Sequence, residues 1–179
     1  MALPDFARIE QGAEIVWGDA GGVGVTNTLT FNNLANATAQ QGASVDLGAY
    51  WDDEFLVYLI GETGTAPTAG LTLDLYLVCS RDGSKWPAKV TGSNSSYTLG
   101  TSDANLRQAG PPVVCLIATN DGNAEQQQDP VIWRPKGRWV APIVDNNLGV
   151  GLRNRTPASD NLSRVILVPR RSVIVDTVS

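Results

Sequence analysis

The chain has 179 residues, a net charge of −5 and no histidine. Histidine is the usual proton carrier near neutral pH and the commonest metal ligand, so Ser-His and Cys-His nucleophile pairs and most zinc sites cannot be built from this chain alone. An apolar fraction of 42% suffices for one sizeable core, while the charged fraction of 17% is below the roughly 25% of ordinary soluble domains.

The charge is unevenly spread. Residues 1–129 carry 15 acids and five bases, and residues 130–179 carry three acids and eight bases. Those eight are Arg134, Lys136, Arg138, Arg153, Arg155, Arg164, Arg170 and Arg171. They read as solvated strand-face charges or as a basic surface that meets an acidic neighbour. They form no run and the chain is acidic overall, which disfavours nucleic acid.

In chain order, residues 1–12 show no period and read as an arm. Glu14–Trp17 is a short strand candidate, followed by a Gly-rich loop over Gly18–Gly24. That loop lacks the Lys and the following helix that phosphate cradles use. Thr26–Leu34 alternates as a half-buried strand does, Ala35–Gly42 is a loop or a short helical turn, and Ser44–Leu47 is a further candidate. Glu54–Ile60, rich in aromatic and branched residues, reads as a buried strand. After the loop Gly61–Gly70, Leu71–Cys79 alternates over its whole length, with Leu71, Leu73, Leu75, Leu77 and Cys79 on one face.

Asp82-Gly83 marks a turn, since glycine readily takes positive φ. Residues 91–110 form a Ser/Asn/Gly-rich excursion with a minor strand at Tyr97-Thr98-Leu99. Val113–Thr119 is a strand, Asn120–Asn123 its turn, and Gln126–Gln128 a polar loop. Val131–Trp133, Arg138–Val144 and Gly149–Leu152 are short strands, with Asp145-Asn146-Asn147 as a turn. Arg164–Val168 and Ser172–Val178 close the chain, separated by Pro169. No segment has a sustained helical period. Some ten short strands with turn signals between them predict an all-β fold, an antiparallel β-sandwich or jelly roll. Residues 1–19 are then an N-terminal arm and lead-in strand, and 20–179 a single sandwich domain.

Chemistry-bearing clusters are few. Adjacent Asp52, Asp53 and Glu54 point to alternate faces of a strand start, so they do not face each other as glycosidase carboxylates must. Asp121, Asn123, Glu125 and Asp129 offer oxygen donors for calcium but lack the twelve-residue loop spacing. No catalytic residue, metal or cofactor is expected. Cys79 and Cys115 sit in apolar runs and read as free, buried thiols. The N-terminus lacks a signal peptide pattern and no stretch reads as a membrane span, so a soluble protein made in a cytoplasm is expected. Of the five tryptophans, Trp133 and Trp139 lie in apolar strands. Trp51 and Trp86 flank turns and are the better candidates for surface contact, sugar stacking included.

Several segments occur together in one order: the Gly-rich lead, a Leu- and Tyr-rich strand, Thr63-Gly64-Thr65-Ala66-Pro67-Thr68-Ala69-Gly70 before Leu71–Tyr76, Arg138-Trp139-Val140-Ala141-Pro142-Ile143-Val144-Asp145-Asn146-Asn147, and a strand-like tail. Over roughly residues 20–177 this resembles the small jelly-roll capsid decoration, or cement, proteins of tailed bacteriophages. The resemblance implies a non-enzymatic virion protein on the outer surface of the head, with the major capsid protein and identical subunits as partners and often a homotrimer. Phe6, Arg8 and Trp17 are expected to anchor the arm outside its own sandwich. Trp51, Trp86, Arg153 and Arg155 are further partner-contact candidates. A tail-associated, receptor-binding sandwich that recognises host glycan is the alternative.

Overall fold

The computed structural model describes residues 6–51, 53–100, 104–119 and 125–175, the side chains of 6–10 and 172–175 excepted. The elements run β1 (Phe6–Gln11), β2 (Ile15–Gly18), β3 (Asn27–Thr28), β4 (Thr38–Gln41), β5 (Val45–Asp46), β6 (Glu54–Glu62) and β7 (Thr72–Ser80). They continue with β8 (Ser95–Tyr97), α1 (Ala104–Ala109), β9 (Val114–Ile117), β10 (Glu125–Gln127), β11 (Val131–Trp133), β12 (Trp139–Asn147) and β13 (Arg164–Val175).

Two sheets form. The front sheet runs β10-β6-β13-β2-β3, with β11 also on β6 and β1 also on β13; the back sheet runs β8-β4-β12-β7-β9, with β5 also on β12. All pairings are antiparallel except β2 with β3. Take β2, β4, β6, β7, β9, the β10–β11 pair, β12 and β13 as eight staves. The front sheet then reads first-eighth-third-sixth and the back sheet second-seventh-fourth-fifth. That is jelly-roll order, the expected fold. Among the described residues no helix is long and apolar enough to cross a membrane.

The core lies between the sheets. Phe55, Val57 and Leu59 of β6, Leu73 and Leu75 of β7, Val140 and Val144 of β12, and Val165 and Leu167 of β13 are fully buried. In each strand these residues are an even number apart, two or four, the spacing that puts side chains on one face. A second cluster lies on the outer face of the back sheet. There Val78, Ala141 and Ile143 are covered by Ala88, Val90, Tyr97 and Leu106 from residues 81–112. Within that cover, Asp82 Oδ1 accepts from the Ser84 and Lys85 N–H groups at 2.9 and 3.0 Å, which holds its pKa far below the usual carboxylate range. Gly83 turns at φ +75°, where a Cβ would lie 2.8 Å from the Trp139 ring.

Several elements differ from the sequence reading. Thr26–Leu34 is strand only at β3, because Leu29 and Phe31 enter the core from a loop. Asp19 Oδ1 holds that loop by accepting from the Phe31 and Asn32 N–H groups, both at 3.1 Å. Burial raises the Asp19 pKa against these hydrogen bonds and the charge of Arg164. Asp145–Asn147 continues β12 rather than turning, while 149–152 keeps a single bridge, Leu152 to Thr63. Gln126 and Gln127 lie in β10, not a loop, and the excursion over 91–110 holds a six-residue helix, α1, too short for a sustained helical period. β13 runs unbroken through Pro169, whose missing N–H falls between the stretch paired with β2 and the stretch paired with β1. There Gly12 N–H donates to Pro169 O at 3.1 Å.

Candidate partner-contact sites

β13 is longer than the strand beside it. Arg170 lies opposite Glu54, the first residue of β6, and beyond it β13 pairs with β1 alone. Residues 6–11 and 170–175 thus form a two-stranded ribbon that leaves the sandwich. Its register sets Phe6 opposite Val175, Arg8 opposite Val173 and Glu10 opposite Arg171 on one face, with Ala7–Ile174, Ile9–Ser172 and Gln11–Arg170 on the other. Both faces carry apolar residue types. An isolated two-stranded ribbon is marginally stable in water, and among the described residues no strand pairs with its outer edges.

The root of the ribbon is fastened by Arg171. Its Nε lies 3.2 Å from Asp53 Oδ2, an Nη donates to Ala49 O at 3.0 Å, and the guanidinium sits 5.6 Å from the centre of the Tyr50 ring. Trp51, next along the chain, is 47% exposed. On the outer face of the front sheet, Leu56, Tyr58, Ile60 and Ile166 are half-buried and Ile132 is 56% exposed. Tyr58, Ile60 and Ile166 border a shallow hollow of about 290 Å³.

The expected anchors therefore separate. Phe6 and Arg8 are ribbon positions whose side chains lie outside the described residues. Trp17 is a correction: it is fully buried, its indole N–H donates to Ala43 O at 2.7 Å, and it cannot meet a partner. Alternation in β2 turns it inward between the sheets. Trp86 donates to Gly83 O at 3.0 Å and packs against the back-sheet cover.

Arg153 and Arg155 are turned inward as well. Glu62, at the end of β6, is 2% exposed. Its Oε1 accepts from Arg153 at 2.9 Å and from Arg155 at 2.5 Å, and its Oε2 accepts from Leu162 N–H at 3.1 Å. The Glu62 main chain joins the same knot, since its N–H donates to Ser163 Oγ at 2.9 Å and its carbonyl accepts from Arg153 N–H at 2.8 Å. Burial pushes the Glu62 pKa up, but the Arg155 hydrogen bond, the Leu162 N–H and the two guanidinium charges outweigh it, leaving the pKa below the ordinary value. Both arginines are thus committed to a buried carboxylate, and the arrangement fastens the end of β6 to the connection between β12 and β13 rather than presenting charge outward.

Other basic residues are also paired internally: Arg134 with Glu54 and Arg138 with Asp46, each at 2.7 Å. Asp53 and Glu54 are thereby ion-pair partners, while Asp52, Asp121 and Asn123 lie outside the described residues. Among the described residues no group of three or more His, Cys, Asp or Glu is placed to hold a metal ion. Cys79 and Cys115 are free and half-buried. Burial raises both thiol pKa values, and at Cys115 burial together with the neighbouring Asp74 carboxylate takes it to about 11. Thiols held this protonated are poor nucleophiles. In comparison with known proteins, no family model matches the chain, and neither a curated protein nor a solved structure does.

Proposed function

We propose that this chain is a capsid decoration, or cement, protein: a virion component that binds the outer surface of a tailed-phage head without catalysing a reaction. Its partners in this reading are the major capsid protein and identical subunits, assembled as a homotrimer. The observation that carries the reading is the terminal ribbon. It extends past the end of β6, carries apolar residue types among charged and polar ones on both faces, and among the described residues has no strand on its outer edges. Such an element gains most of its stability from a second surface, either by strand addition or by burial of a face. The half-buried apolar face of the front sheet, with Ile132 exposed on it, adds area beside it. Many weak contacts of this kind, repeated in an oligomer on a lattice, sum to high avidity.

The test is co-sedimentation of purified protein with phage heads that lack it. The full chain is expected to pellet with the heads and to raise the temperature at which they open. A chain lacking residues 1–11 should bind at least about tenfold more weakly, a loss of about 1.4 kcal/mol per site, with an unchanged circular dichroism spectrum. Absence of head binding sinks the proposal. Exposed Trp51 favours a second reading, a tail-associated glycan binder. Under that reading labelled protein marks the tail alone, and a glycan-array signal is lost in Trp51→Ala.

A further inference from the structure

The two sheets are not closed over at one side of the sandwich. β9 pairs with β7 only from Thr72 to Leu75, and the chain reaches it through Pro111-Pro112. Val113 N–H donates to Leu75 O at 2.7 Å, which fixes the direction of the main-chain groups there. Groups two residues apart in a strand point the same way. The N–H and C=O of Leu77 therefore face the side where β9 has not yet begun. Opposite lies β11, an edge of the front sheet whose strand partner is β6.

Between these edges runs a groove of about 580 Å³, within the range of ligand clefts. Its floor includes Leu77, Cys79 and Trp133, and Ile132 stands exposed at the rim. Trp133 is held in place by Phe55, with ring centres 6.0 Å apart. The Lys136 and Gly137 N–H groups donate toward the Cys79 sulfur beside it. Arg107, Arg134 and Lys136 line the groove, and among the described residues no carboxylate does. Arg134 is bound to Glu54 at 2.7 Å, whereas Arg107 and Lys136 are exposed and form no ion pair among the described residues.

We propose that this groove binds an extended acidic peptide segment of a partner protein by strand addition. Leu77 and the free edge of β11 supply main-chain hydrogen bonds, Trp133 and Ile132 the apolar seat, and Arg107 and Lys136 the selection for acidic side chains. Main-chain pairing gives such sites their affinity, and side-chain contacts to alternate residues give them specificity. On a chain of net charge −5, a groove whose charged lining residues among those described are Arg107, Arg134 and Lys136 stands opposite in sign to the chain as a whole and attracts an anionic strand. The inference uses neither the terminal ribbon nor the capsid reading, so either can fail without the other.

The test titrates the purified full chain with a fluorescein-labelled peptide, Glu-Val-Glu-Val-Glu-Val-Glu, read by anisotropy and by amide chemical shifts. Saturable binding is expected, with the shifts concentrated at residues 77–79 and 131–133. Salt should weaken it. The double variant Arg107→Glu, Lys136→Glu should bind at least about tenfold more weakly at unchanged circular dichroism. A peptide N-methylated at every residue should not bind, because it cannot donate to a strand edge. Three results would overturn the proposal: no saturable binding, equal binding of the peptide with Lys in place of Glu, or full affinity in the double variant. Displacement of the peptide by oligo(dT) at lower concentration would also overturn it, by assigning the cations to phosphate.

Discussion

The two outer faces of the sandwich share strand chemistry and differ in what lies on them. On the back sheet, Val78, Ala141 and Ile143 are sealed under residues 81–100 and 104–112, which bring Trp86, Ala88, Val90, Tyr97 and Leu106 down as a second cluster. On the front sheet, Leu56, Tyr58, Ile60 and Ile166 are as apolar, yet among the described residues no such cluster packs over them. The chain completes one face itself and leaves the other half-exposed, and the terminal ribbon extends from the half-exposed sheet. The covered layer and the half-exposed layer thus lie on opposite sides of the core.

Substitution tests that division most directly. Ile143→Ala, on the sealed face, should cost about 3 kcal/mol in urea unfolding, as buried truncations do. Ile166→Ala, on the open face, should cost about 1 kcal/mol or less. Equal losses would erase the distinction between the faces.

The next effect sharpens it within the front sheet, at the end where that sheet is closed. Glu62→Gln leaves Arg153 and Arg155 without their carboxylate and should cost about 2–3 kcal/mol. The folded pKa of Glu62 lies below its ordinary value of 4.5. Its contribution is therefore fully present above about pH 4.5 and is lost as pH falls through the folded value. Wild-type stability measured against pH should fall there more steeply than that of Glu62→Gln, and parallel curves would show that the knot does not carry the acid response.

The smallest effect concerns the ribbon. Arg171→Ala removes the contacts to Asp53, Ala49 and Tyr50. Exposed pairs of this kind contribute little to global stability. The urea midpoint should stay put while amide exchange quickens at residues 6–11 and 172–175. Faster exchange throughout the sandwich would mean that the ribbon is part of the core.

Legibility in the sequence followed the same division. β7 was plain because Leu73, Leu75 and Leu77 alternate with Thr72, Asp74 and Tyr76, one face apolar and one not. β6 is legible by composition alone, since both of its faces are apolar and no period shows. The all-β fold and the jelly roll were readable from strands of these kinds. α1 has six residues, too few for a helical period to register. Leu29 and Phe31 alternate like a strand but enter the core from a loop held by Asp19, a contact across twelve residues. The Glu62 knot was out of reach for the same reason. A single acid ending an apolar strand is a signal in hindsight, but Arg153 and Arg155 stand some ninety residues away. Trp17 was misplaced because its run is short and its burial is decided by the opposite sheet.

The pairing of Phe6 with Val175 brings both ends of the described chain to one corner. Cargo joined at Phe6 or at Val175 leaves from the same corner. A short linker joining the two closes the backbone into a ring, and the exposed 81–85 turn is then the natural place to cut new ends in a circular permutant.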